Sequence, residues 1–146
     1  LRVVGWGSAK FWHPNTEHSV RVSLFKAPEL LVDFCKYDYS VDMWGAGSML
    51  ASLIFRKEPF FHGNSISDML LKITKVLGTK ELFEFVEEFE IELDEDLVDE
   101  LGYCPRRQWS SFVTPENEKN VHDDAIDLLH RLLRYNPRVR LLSKHL

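Results

Sequence analysis

Side chains able to do chemistry are scattered along this sequence rather than gathered. Gly5-Trp6-Gly7 is a lone Gly-x-Gly; a phosphate cradle needs a longer glycine-rich turn opening a helix, so the triplet has no force as a nucleotide motif. His13 and His18 share a loop with no third ligand at a convincing spacing, which argues against a metal site. His122 and His130 stand eight apart, on or just ahead of one helical pattern, and read as polar-face residues. The serines and histidines lack the nucleophile-elbow sequence that a hydrolase triad would bring. Trp6, Trp12, Trp44 and Trp109 have no alternating bases around them, so they fill a core rather than stack nucleobases.

Elements must position whatever chemistry there is, and the pattern predicts helices. Leu1 to Val4 is a short apolar run consistent with a strand, and residues 5 to 28 mix Gly, His, Pro, Asn and Ser without period. A structureless stretch of that length is usually functional. From Ser40, a residue able to cap, Val41 to Phe55 is nearly all apolar or small, which predicts a helix buried on every side. Its Gly45, Ala46, Gly47, Ser48, Ala51 and Ser52 sacrifice helix propensity for close approach of other backbone. Arg56-Lys57-Glu58-Pro59 ends it. Met69, Leu70, Ile73, Val76 and Leu77 recur at helical spacing before a stop at Gly78. Leu82, Phe85, Val86 and Phe89 form one further stripe, and Leu93, Leu97 and Leu101 another. Pro105 to Pro115 reads as loop. Asp123 and Asp124 open a last helix over Ala125 to Arg134, which Asn136-Pro137 terminates. The expectation is a mainly α fold: about five helices, a vestigial strand and one long loop.

Composition sets bounds on partners. The chain has 146 residues, enough for one domain with a core, and its 45% apolar content is that of an ordinary globular protein. A net charge of −5 excludes a generally basic nucleic-acid binder. Eleven acidic residues and no Lys or Arg fall between Glu81 and Glu100, leaving 18 bases against 12 acids elsewhere. A mostly basic body with one acidic flank could attract acidic peptides, or the charges could simply solvate helix faces. Cys35 and Cys104 make no disulfide framework, so a reducing interior is expected. The longest apolar stretch, Met43 to Phe55, is too short and too rich in Gly and Ser for a membrane span. With no initiating Met, the chain reads as an excised or truncated piece.

The order of segments carries a family resemblance. Val20-Arg21-Val22, Phe25-Lys26-Ala27-Pro28-Glu29-Leu30-Leu31, Tyr37 to Trp44, and Ile54-Phe55-Arg56-Lys57-Glu58-Pro59-Phe60-Phe61 resemble the casein kinase 2 catalytic (alpha) subunit, of the CMGC group of serine/threonine protein kinases. Lys75-Val76-Leu77-Gly78-Thr79, Ile91-Glu92-Leu93-Asp94 and Leu132-Leu133-Arg134-Tyr135 do so as well. That family uses Asp-Trp-Gly in its magnesium-binding turn, and Trp6-Gly7 repeats the pair. The resemblance spans residues 1–146, covers the later part of the C-terminal lobe, and makes residues 5–29 the activation segment.

What the resemblance implies is mostly loss. Gly5 occupies the place of the magnesium-binding Asp, and a hard cation needs a charged oxygen that glycine lacks. The family's Gly-rich loop, phosphate-pairing Lys and catalytic-loop Asp and Asn all come before the matched region. No ATP or magnesium is therefore expected on this chain, although the family uses both. In the family a basic activation loop recognises acidic residues beside the target Ser or Thr; Arg21 and Lys26 match two of its cations. The loop is two residues shorter here, and a third cation is lost. Acidic peptides are thus the expected partner, while Arg21 and Lys26 as plain surface cations remain the alternative. The family's regulatory beta subunit docks mainly on the N-terminal lobe, so it is not expected to bind. By the same resemblance Glu29 pairs with Arg140 in a buried ion pair, and Asp42 becomes a helix N-terminal acid or an orphan carboxylate. The family is intracellular, in nucleus or cytoplasm.

Three functional readings follow: an inactive relative that binds protein, a piece of a longer active kinase with an erroneous Gly5, or a helical interaction module in its own right. Asp and Gly codons can differ by one base, which keeps the second open.

Overall fold

In a computed structural model, residues 2, 7, 25–34 and 37–142 can be described. Of the expected strand over Leu1 to Val4 all but Arg2, and of the activation segment residues 5, 6 and 8 to 24, lie outside them.

Six α-helices carry the described part: α1 Pro28–Leu31, α2 Ser40–Phe55, α3 Ile66–Leu77, α4 Lys80–Glu88, α5 Glu95–Leu101 and α6 Asp123–Leu132. Two 3-10 turns, Trp109–Phe112 and Glu118–Asn120, join α5 to α6. No strand occurs among the described residues. The mainly α expectation holds, with the 3-10 turn Trp109–Phe112 added where loop was predicted, and α1 and the turn Glu118–Asn120 in stretches to which no element was assigned. The last helix ends at Leu132 rather than at Arg134.

Local chemistry sets most boundaries. Pro28 sits at the start of α1, where its missing N–H is no loss. Ser65 Oγ accepts the Asp68 amide of α3 at 3.0 Å, while Asp68 Oδ2 accepts the Asn64 amide at 2.9 Å. The Asn64 amide, with Lys72 at 3.6 Å, holds the Asp68 carboxyl below its ordinary range. Asp94 caps α5 through the Asp96 amide at 3.0 Å. At α2 the expected cap differs: Tyr39 precedes the helix, Ser40 is its first residue, and the capping acceptor is Asp38 Oδ1, 2.8 Å from the Ser40 amide.

The core lies between α2, α3, α4 and α6. Gly47 lets α6 close on α2, since a Cβ there would stand 2.9 Å from Leu132 Cβ. Trp44 stacks on Phe61 at 5.9 Å, Phe55 stacks on Trp109 at 5.8 Å, and Phe60 meets Phe61 edge-on at 4.9 Å. Asn117, buried among them, donates to the Phe55 and Phe112 carbonyls and accepts the Thr114 amide, tying the end of α2 to the turns beyond α5. Trp44 and Trp109 are core residues; Trp6 and Trp12 lie outside the described ones.

One expectation about α2 is corrected. It is not buried on every side: Met49 is 50% and Leu53 72% exposed. An apolar composition without period cannot say which side of a helix is covered. Here the small-residue side receives α6, and the larger side chains of the opposite side stay open.

Candidate functional site

Glu29 and Arg140 meet in the buried interior. Arg140 Nη1 donates to Glu29 Oε1 at 2.6 Å and Nη2 to Oε2 at 2.8 Å, a bidentate pair with both side chains fully buried. The rest of the guanidinium is satisfied as well. Its Nη1 reaches the Ser40 carbonyl at 2.9 Å, while Nε and Nη2 reach the Arg134 carbonyl at 3.1 and 2.9 Å. Nη2 also lies 3.2 Å from the Tyr135 carbonyl, and the plane of the group faces Trp44 at 5.4 Å. One side chain near the C-terminus thus fastens α1, the start of α2 and the end of α6.

The pair anchors the segment carrying Lys26. Lys26 is half-buried and stands with Leu31, Gly63, Asn64, Ser65, Ile66 and Met69 around an open cleft of about 190 Å³. The Asp68 amide bond to Ser65 Oγ and the Asn64 amide bond to Asp68 Oδ2 fix the rim of that cleft. Gly5 and Arg21 lie outside the described residues, so the structure brings neither to Lys26. Asp42 is exposed in the first turn of α2, a helix N-terminal acid facing solvent rather than an orphan carboxylate. His13 and His18 also fall outside the described residues, and among the described ones no group of His, Cys, Asp and Glu could hold a metal ion.

A second constellation escaped the sequence. His130, read from spacing as a polar-face residue, lies between two arginines. Arg106 Nη2 is 3.2 Å from its Nδ1 and Arg134 Nη1 is 3.2 Å from its Nε2. Glu81 Oε1 faces both arginines, 3.2 Å from Arg106 Nη1 and 3.8 Å from Arg134 Nη1. Beneath them the buried Tyr135 hydroxyl donates to the Gly78 carbonyl at 2.8 Å, and burial pushes its phenol far above the ordinary range. Glu81, Arg106, His130 and Arg134 come from α4, the loop after α5, α6 and the turn beyond it. No local motif could have announced them; the only linear signal was the spacing of His130 and Arg134, one helical turn apart.

Partial burial, then the Arg106 and Arg134 charges, hold His130 below its ordinary value of 6.5, against the opposing pull of Glu81 and Asp127. The unfolded chain therefore takes up the proton first, and the unfolded state binds more protons in that window. Stability is fully present above about pH 6.5 and is lost as pH falls from there through the folded value of His130. In urea melts of wild type and His130→Gln, the wild type should lose midpoint on acidification and the variant should lose less. Equal losses would dismiss the assignment to His130.

Among the described residues no helix is long and apolar enough to cross a membrane. The family model for the protein kinase domain matches residues 1–146, the length of the chain. With the helical architecture built around the Glu29–Arg140 pair, that match places the chain in the protein kinase domain family.

Proposed function

We propose that this chain is a protein kinase of the casein kinase 2 alpha type in which the 146 residues bind acidic peptides without transferring phosphate. The Trp6-Gly7 pair and the run Arg56-Lys57-Glu58-Pro59-Phe60-Phe61 support the subfamily. The observation that carries the binding half is the buried Glu29–Arg140 pair, which fixes Ala27-Pro28-Glu29 so that Lys26 stands at the mouth of a cleft. Lys26, with Arg21 ahead of it, supplies positive charge to a segment that contacts substrate in the family. Each exposed contact contributes no more than about 1 kcal/mol, so the attraction is weak and salt-sensitive.

The catalytic half rests on Gly5. Phosphoryl transfer is positioning plus charge neutralisation, and the magnesium ion needs an oxygen anion at this turn. Restoring the acid alone with Gly5→Asp should give no transfer, because residues 1–146 contain no phosphate-pairing Lys or catalytic-loop Asp in the family's pattern. Calorimetry on the 146-residue chain should detect no magnesium-dependent ATP binding, and a labelled acidic peptide should bind at low salt and dissociate at high salt. Radiolabel passed to casein by rigorously purified chain overturns the catalytic half. No peptide binding at low salt overturns the other.

A further inference from the structure

The His130 constellation has more donors than acceptors. A neutral imidazole carries one N–H and one lone pair. Here each ring nitrogen faces a guanidinium N–H at 3.2 Å. Whichever tautomer forms, one guanidinium donates to the ring and the other meets a ring N–H head-on. Protonating the ring removes the remaining acceptor and sets three cations around one carboxylate. Glu81 cannot balance them: its Oε1 already accepts from Arg106 and stands 3.8 Å from Arg134. Asp127, the other acid facing His130, is itself engaged with Arg131 at 3.8 Å and largely exposed. With His130 neutral, the two arginines and Glu81 leave one positive charge unmatched.

The donors are also held in place. Thr79 exchanges hydrogen bonds with Cys104, its amide to the Cys104 carbonyl at 2.9 Å and the Cys104 amide to its Oγ1 at 3.0 Å. Arg107 donates its amide to the Val76 carbonyl at 2.9 Å, so the backbone on both sides of Arg106 is fixed. The Arg134 carbonyl is gripped by Arg140 at 3.1 and 2.9 Å. The Arg106 and Arg134 side chains are only 24% and 28% exposed, which leaves their charges less screened than free surface cations.

From this geometry we infer a binding site for a tetrahedral oxyanion, of the phosphoryl class, formed by Arg106, Arg134 and His130 with Glu81 at its rim. An oxyanion there accepts from both guanidiniums, each able to present two parallel N–H groups. It also turns the ring contacts from clash to complement, since protonated His130 can donate to the same anion. Two consequences separate this site from the Lys26 cleft: its affinity rises as pH falls through the titration of His130, and the bound anion raises the proton affinity of that ring. The groups setting that titration are Arg106 from the loop after α5, Glu81 from α4, and Asp127 and Arg134 from α6 and its exit.

Sulfate is the first probe because its charge is constant across the range. Following the His130 ring by NMR in the 146-residue chain, sulfate should move the ring signals saturably at about pH 5.5 and more weakly at about pH 8, and should shift the His130 titration upward. Chloride at matched ionic strength reports plain screening. Arg106→Ala and Arg134→Ala should each weaken sulfate binding about tenfold or more, the scale of a hydrogen bond to a charged group. Lys72→Ala removes an equal charge elsewhere and should leave it unchanged. His130→Gln should keep residual binding and lose the pH dependence. Inorganic phosphate and a phosphoserine peptide, with its unphosphorylated twin, then separate the sources: equal affinities assign the site to free phosphate, and a tighter phosphopeptide assigns it to a modified protein. A His130 titration that sulfate leaves unmoved, or moves no more than chloride does, overturns the site from the wild-type chain alone.

Discussion

Glu29→Ala should lower the stability of this chain by about 3–5 kcal/mol, measured as a drop in urea midpoint at constant slope. The loss is that of a buried charge stripped of its partner. Arg140 would keep its contacts to the Ser40, Arg134 and Tyr135 carbonyls but lose the carboxylate that balances its charge. Since a domain of this kind has on the order of 5–15 kcal/mol in all, the variant should stand near its folding limit. Arg140→Met should cost at least as much, because it strands the Glu29 carboxylate and three backbone carbonyls together. The double variant separates this pair from an isolated salt bridge. Replacing a lone buried pair by apolar side chains is often neutral. Here Glu29→Leu with Arg140→Met should remain destabilised, because no methionine can serve those carbonyls. A loss below about 1 kcal/mol for Glu29→Ala, the scale of a surface pair, would mean that the bidentate contact does not hold the fold.

Gly78→Ala should be comparably severe, on the order of 4 kcal/mol, because two separate penalties coincide. The residue sits at φ 81° and ψ 166°, a region that residues with a Cβ essentially never adopt. An added Cβ would also stand 2.7 Å from the Arg106 nitrogen and 3.0 Å from the Cys104 oxygen, both backbone atoms that cannot swing aside. Relieving the contact means moving residues 104–107 away from α3 and α4, which breaks the Thr79–Cys104 exchange and the Arg107–Val76 bond. The Tyr135 hydroxyl would lose its carbonyl partner at Gly78 in the same movement. Because this joint also sets Arg106 beside His130, the variant should flatten the acid-induced loss of stability along with lowering the urea midpoint. A melt within about 0.5 kcal/mol of wild type would show that the loop yields freely.

Periodic side chains made α3 to α6 legible, because a helix facing a core must repeat its apolar residues every three or four positions, whereas α2 was legible from its unbroken apolar and small composition. Met69, Leu70, Ile73, Val76 and Leu77 gave α3, Gly78 gave its end, and the stripe from Leu82 to Phe89 gave α4. Short turns were not legible in the same way. The 3-10 turn at Trp109–Phe112 and the four-residue α1 are too brief to show a period, and they exist because Trp109 and Glu29 have buried places to fill. The sidedness of α2 was hidden for the opposite reason, since a helix apolar in every direction carries no phase.

Sequence alone determined the helical class, the kinase resemblance and the presence of a glycine at position 5. Linear order could list Glu29, Arg140, Arg106, His130, Arg134 and Glu81 but not their distances. Tertiary structure decided that Arg140 serves one carboxylate and three carbonyls, and that both ring nitrogens of His130 meet arginine. The physical reason is range: helical propensity and periodicity act within a few residues, whereas charge and desolvation act between groups that only packing brings within a few ångströms of each other.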